Sequence, residues 1–147
     1  PNCTLKPKRT IKTNCICLCG GKYIIYIKIM KRFDLEERLI QFSVLIIEIV
    51  NEMPNSKAAN HLSGQLVRSG TSVSLNYGEA QSGESRRDFI HKMKIVLKEL
   101  RETYICLKII KRTDLYKTVS DIQRAIEENN ELISIFVKSV ETAQNKL

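Results

Sequence analysis

A chain of 147 residues can form one domain with a real core, burying roughly 70% of its unfolded surface. Its 43% hydrophobic and 27% charged residues are the balance of a globular chain, not of a disordered, collagenous or membrane-embedded one. The net charge of +8 points to nucleic acid only until it is divided: residues 1–29 hold six Lys/Arg and no acid, leaving +2 for residues 30–147. Within that remainder residues 86–112 carry +6, whereas residues 31–53 and 113–147 carry −2 each.

The first 29 residues differ in composition from everything after them. They hold Cys3, Cys15, Cys17 and Cys19, and Cys106 is the only cysteine beyond them. That distribution gives no disulfide framework and suits a reducing cytoplasm. The Cys15, Cys17, Cys19 alternation lacks the wider spacing and fourth ligand of a zinc site, so no metal or cofactor is expected. Ile24–Ile29 is too short and too interrupted to span a bilayer, and no signal-peptide pattern is present, so no membrane association is expected. Residues 1–29 therefore read as a poorly structured N-terminal extension and residues 30–147 as the domain. The extension is either read-through ahead of an initiator at Met30 or a basic arm with a β-like segment at Tyr23–Ile29.

The first helix is expected over Asp34–Met53, with Asp34 capping and Glu37 at capping-box spacing. Leu35, Leu39, Phe42, Ile46, Ile49 and Met53 form its apolar stripe, and Pro54 ends it. Asn55 or Ser56 opens a second helix to about Gln81, with Ala59, Leu62, Leu66, Gly70, Val73, Tyr77 and Ala80 inward. Ser85 with Asp88 opens a third, to about Arg112, with Phe89, Met93, Val96, Leu97, Leu100, Tyr104 and Leu107 inward. After a turn at Thr113–Asp114, Thr118 with Asp121 opens a fourth, lined by Val119, Ile122, Ile126, Ile133, Phe136, Val137 and Val140. Short connections make neighbours antiparallel, so the fold class is all-α, an antiparallel up-down four-helix bundle.

Beside the apolar face of the second helix runs a polar stripe of Gln65, Ser69, Ser72, Asn76 and Glu79, with Arg68 adjoining. Folding the third helix back pairs Arg68 with Glu99, Gln65 with Glu102, and Asn76 or Glu79 with Lys92. Two readings fit. The stripe is a solvated face with incidental pairs of ~0–1 kcal/mol each, or a semi-buried polar seam that fixes register or forms a subunit contact.

No catalytic constellation is visible. His61 and His91 lie on different helices without HExxH spacing, and Ser69, Ser72 and Ser74 lack His/Asp partners at a recognisable spacing. Cys106 sits near an apolar face, and no glycine-rich phosphate loop occurs. The chain is read as a non-enzyme. The remaining candidate is a basic ridge on the third helix: Arg86, Arg87, Lys94, Lys98, Arg101, Lys108, Lys111 and Arg112. Such a ridge could neutralise phosphates, with an affinity that falls steeply in salt. Its plain alternative is a solvated face paired with Glu99, Glu102 and neighbouring acids.

Within His61–Leu107, the features Gln65-Leu66, Arg68-Ser69, Ser72, Asn76, Glu79-Ala80, Phe89, Lys92, Lys98-Glu99-Leu100 and Glu102 resemble a bacterial four-helix bundle family. That family includes proteins encoded in intervening sequences of 23S rRNA genes and is related to the accessory variability determinant of diversity-generating retroelements. The resemblance extends more weakly over residues 30–147. It implies a compact subunit in a ring-like homopentamer and association with RNA or DNA. In the retroelement relatives it implies, alternatively, an adaptor ring for a reverse transcriptase.

Overall fold

The computed structural model describes residues 22–145, with side chains from Asp34 onward. Four helices follow one another: α1 Lys22–Asn51, α2 Lys57–Gln81, α3 Arg86–Arg112 and α4 Val119–Gln144. Each helix packs on its neighbours in chain order, and α1 closes on α4, whereas the backbones of α1 and α3 stay apart on the bundle diagonal. This is the expected up-down bundle.

Local chemistry sets the breaks. Ser56 is extended and its hydroxyl accepts the Ala59 N–H, and Ser85 does the same for Asp88, so two of the four expected caps form. Thr118 starts α4 without a side-chain cap bond. Asp121 instead lies 3.5 Å from the Tyr116 hydroxyl. Asp114 takes the left-handed conformation (φ 50°) that the tight α3–α4 turn requires.

The N-terminal boundary moves. Asp34 does not cap a helix but lies exposed within α1, which begins at Lys22 and ends at Asn51. Tyr23–Ile29 is therefore helical rather than β-like, because the run Lys22–Arg32 contains no helix breaker to stop α1 from extending backwards. Met30 falls inside the same helix. Residues 1–21, with Cys3, Cys15, Cys17 and Cys19, lie outside the described residues.

The core is aliphatic, with Phe42, Phe136 and Tyr77 as its aromatic members and Tyr116 at one end. Tyr77 and Phe136 meet edge to face, centroids 5.8 Å apart, tying α2 to α4 across the bundle. On α3 the buried face includes Ile90, Thr103 and Ile110, while the expected Phe89 and Tyr104 are only half-buried. On α4 Val119 is exposed and Ala125, Asn129 and Leu132 are buried in its stead. A stripe three or four positions wide can be assigned one position off when apolar residues flank both its edges.

Gly70 lets α1 approach α2. A Cβ built there would stand 2.8 and 2.9 Å from the two γ-carbons of Ile46, which is fully buried. At the same level Ser43 Oγ lies 3.0 Å from the Leu39 carbonyl, 3.2 Å from the Gly70 carbonyl and 3.1 Å from Ser74 Oγ. On the other side Arg38 clasps α4: its Nε and Nη2 donate to the two carboxylate oxygens of Glu128 at 2.6 and 2.9 Å, and Nη2 also reaches Glu131. This bidentate pair holds the guanidinium charged more firmly than usual.

Candidate nucleic-acid interface

The polar stripe of α2 does meet α3, in a register different from the expected one. Arg68 Nη2 binds Glu102 Oε2 at 3.1 Å and also donates to Gln65 Oε1, so Arg68 takes Glu102 and Gln65 does not. Glu79 and Lys92 pair as expected. The Arg68–Glu99 pair does not form. Glu102 occupies the rim one turn further along α3, where Arg68 can reach it, while Glu99 turns inward and is buried. One Glu99 oxygen lies 3.8 Å from Lys98 Nζ, and the other has no hydrogen-bond partner.

Between these levels the stripe is interior. Ser69 is buried, and the Thr103 hydroxyl lies 2.9 Å from its Oγ and 2.9 Å from the Glu99 carbonyl. Ser72 and Asn76 are half-buried, and Asn76 donates to the Ser72 carbonyl at 2.9 Å. The stripe is thus a seam with a buried centre and ion pairs at its rims. Thr103 was missed as a seam residue, although it stands four positions from both Glu99 and Leu107 on the inward face. Asn129, buried and donating to the Leu100 carbonyl at 2.9 Å, was missed likewise, although it falls three positions from both Ile126 and Leu132.

The expected basic ridge divides into cations already engaged and cations without partners. Lys98 reaches Glu102 at 3.3 Å, Lys108 stands 4.9 Å over the Tyr104 ring, and Lys111 donates to Gln123 at 2.7 Å. Arg86, Arg87, Lys94, Arg101 and Arg112 are exposed and bind no acid among the described residues. Arg87, Lys94 and Arg101 repeat every seven residues on the outward face of α3, about 10 Å apart along the axis. Arg68, Lys94, Lys98 and Arg101 border an open groove of about 880 Å3, with Leu97 and Ile105 among its apolar walls. Cys106 also lines it, and burial, followed by the Glu102 charge, pushes its thiol up. A thiol so placed is a poor nucleophile.

Among the described residues no three His, Cys, Asp or Glu side chains gather as a metal site, and no helix is long and apolar enough to cross a membrane. His61 and His91 are both exposed. What is present is a polar seam that fixes two helices and a row of unpaired cations on one of them. The fold that carries them is an all-α four-helix bundle.

The comparisons specify the family. Residues 31–138 match the 23S rRNA-intervening sequence protein family, and the chain belongs to it. A crystal structure from Bacteroides thetaiotaomicron, of a protein of unknown function in the S23 ribosomal protein family, is similar at 30% identity with a TM-score of 0.66. The similarity covers 71% of this chain and 96% of that one. No curated protein matches the chain in sequence.

Proposed function

We propose that this chain is a non-enzymatic cytoplasmic protein that self-assembles, as the pentamer the family resemblance implies, and associates with RNA through the N-terminal half of α3. One observation carries the RNA reading. Arg38, Arg68 and Lys92 are paired with acids, whereas Arg86, Arg87 and Lys94 face solvent with none among the described residues. Unpaired cations that a fold does not use are available for phosphate, and assembly around an axis would multiply them. The family's name, which refers to rRNA genes, supports RNA over DNA as the ligand.

The test is fluorescence-anisotropy titration of the full chain with a labelled RNA at several salt concentrations. Binding that weakens steeply with salt, and is largely lost in R87E/K94E while helicity is kept, is the expected result. Salt-independent binding, or unchanged binding by R87E/K94E, would refute the assignment.

A further inference from the structure

Five of the most exposed large hydrophobic side chains fall into two short stripes on opposite sides of the bundle. Ile40, Val44 and Ile47 lie on the outward face of α1, Ile105 and Ile109 on that of α3, all 40–55% exposed. Each stripe is bracketed by charge of one sign. On α1 the brackets are Glu37 and Glu48, both exposed. Over residues 34–51 the only cation is Arg38, already held by Glu128 and Glu131. On α3 the brackets are Arg101 and Arg112, both without an acid partner among the described residues, and the only acid between them, Glu102, is engaged with Arg68 and Lys98.

The dimensions agree as well. Glu37 to Glu48 and Arg101 to Arg112 are each eleven residues, about 16 Å of helix. An apolar centre between two acids therefore matches an apolar centre between two bases at the same spacing. Both stripes are exposed, on helices whose backbones do not approach each other, so one copy cannot bring its own two together.

We infer that the outward face of α1 of one copy docks on the C-terminal half of α3 of a second copy, with Ile40, Val44 and Ile47 against Ile105 and Ile109 and the glutamates against the arginines. This rests on the self-assembly part of the proposed function and names the faces that carry it. The contact joins unlike surfaces, so every copy keeps one face of each kind, and the assembly is a closed ring or an open filament, not a two-fold dimer. It leaves Arg86, Arg87 and Lys94 uncovered for RNA.

The experiment is light scattering coupled to size exclusion on the full chain, with circular dichroism as the check on folding. Wild type is expected to run as an assembly. E37R/E48R and R101E/R112E are each expected to run as helical monomers, and the chain carrying all four substitutions to assemble again, because the reversed faces still match. An equimolar mixture of the two double variants is expected to associate too, in strictly alternating chains or even-numbered rings and not in a ring of five. Assembly of wild type that both double variants retain, or that the four-substitution chain fails to regain, overturns these faces and leaves self-assembly standing. A monomeric wild type overturns both, whatever the RNA titration shows.

Discussion

Gly70→Ala adds one methyl group where α2 packs tightly on Ile46 of α1, and the structure gives both the sign and the size of the effect. The new Cβ would stand 2.8, 2.9 and 3.2 Å from three atoms of Ile46. The nearest is roughly 0.6 Å inside ordinary van der Waals contact, which begins near 3.4 Å. Ile46 is fully buried and offers a branched β-carbon, not the free end of a flexible chain, so the helices must part or Ile46 must leave its rotamer. Such overpacking costs about 1–3 kcal/mol. Parting the helices also stretches the 3.2 Å approach of Ser43 to the Gly70 carbonyl, a bond worth about 1 kcal/mol. Against this stands the better helix propensity of alanine, about 1 kcal/mol. The net expectation is a loss of about 1–3 kcal/mol, or a fall in Tm of roughly 4–12 °C for a domain of this size. Two controls lie in the same helix: a Cβ at Gly64 or Gly78 meets nothing within 4 Å, so alanine there should raise stability by about 0.5–1 kcal/mol. Urea melts of the three variants read the comparison directly. If Gly70→Ala proves as stable as Gly64→Ala, close packing at this level is not what Gly70 provides.

Glu99 places a carboxylate oxygen inside the α2–α3 seam with nothing to bind it, so Glu99→Gln should raise stability, by about 1 kcal/mol, in the same melts. A loss there would mean that the Lys98 contact outweighs burial. Burial, reinforced by the hydrogen bond to Glu52, pushes the Tyr116 hydroxyl up to about 12. Its neutral form is thus favoured in the folded state, and the stability it contributes is complete below pH 10 and declines as pH rises from 10 to 12. In absorbance titration at alkaline pH Tyr116 should ionise near pH 12, and Tyr116→Phe should remove one tyrosine from that late component; a titration unaltered by the substitution would refute the assignment. For RNA, removing two phosphate-binding cations in R87Q/K94Q should flatten the slope of log affinity against log salt by roughly 1.5. An unchanged slope would exclude both side chains from phosphate contact.

The helices from α2 onward were legible because their boundary signals are local. Ser56, Ser85 and Pro54 act within a few residues of themselves, and each lies where periodicity alone would put a break. The start of α1 was not legible, since Asp34 at capping spacing from Glu37 looks the same whether the helix begins there or passes through. The seam was visible as a stripe, but its register was not. Whether Arg68 meets Glu99 or Glu102 depends on how the turn at Ser82–Ser85 sets one helix along the other, a distance that side-chain spacing within a helix does not encode. The basic ridge was read as eight equivalent cations, and only the positions of Glu102, Tyr104 and Gln123 separate the engaged from the unpaired.

Arg38 gives the bundle an uneven resistance to opening. The α2–α3 hairpin is held by continuous packing and a buried hydroxyl pair, whereas α1 meets α4 over the least extensive of the four helix seams. There a guanidinium clasp contributes, with about a third of Arg38 and a quarter of Glu128 in contact with solvent. Ions reach that clasp, whereas on the hairpin they reach the rim pairs Arg68–Glu102 and Glu79–Lys92 and not the buried Ser69–Thr103 centre. Amide exchange in α1 and α4 should therefore quicken with salt while that of α2 and α3 stays slow, giving the bundle a door whose latch is ionic and whose hinge side is dry.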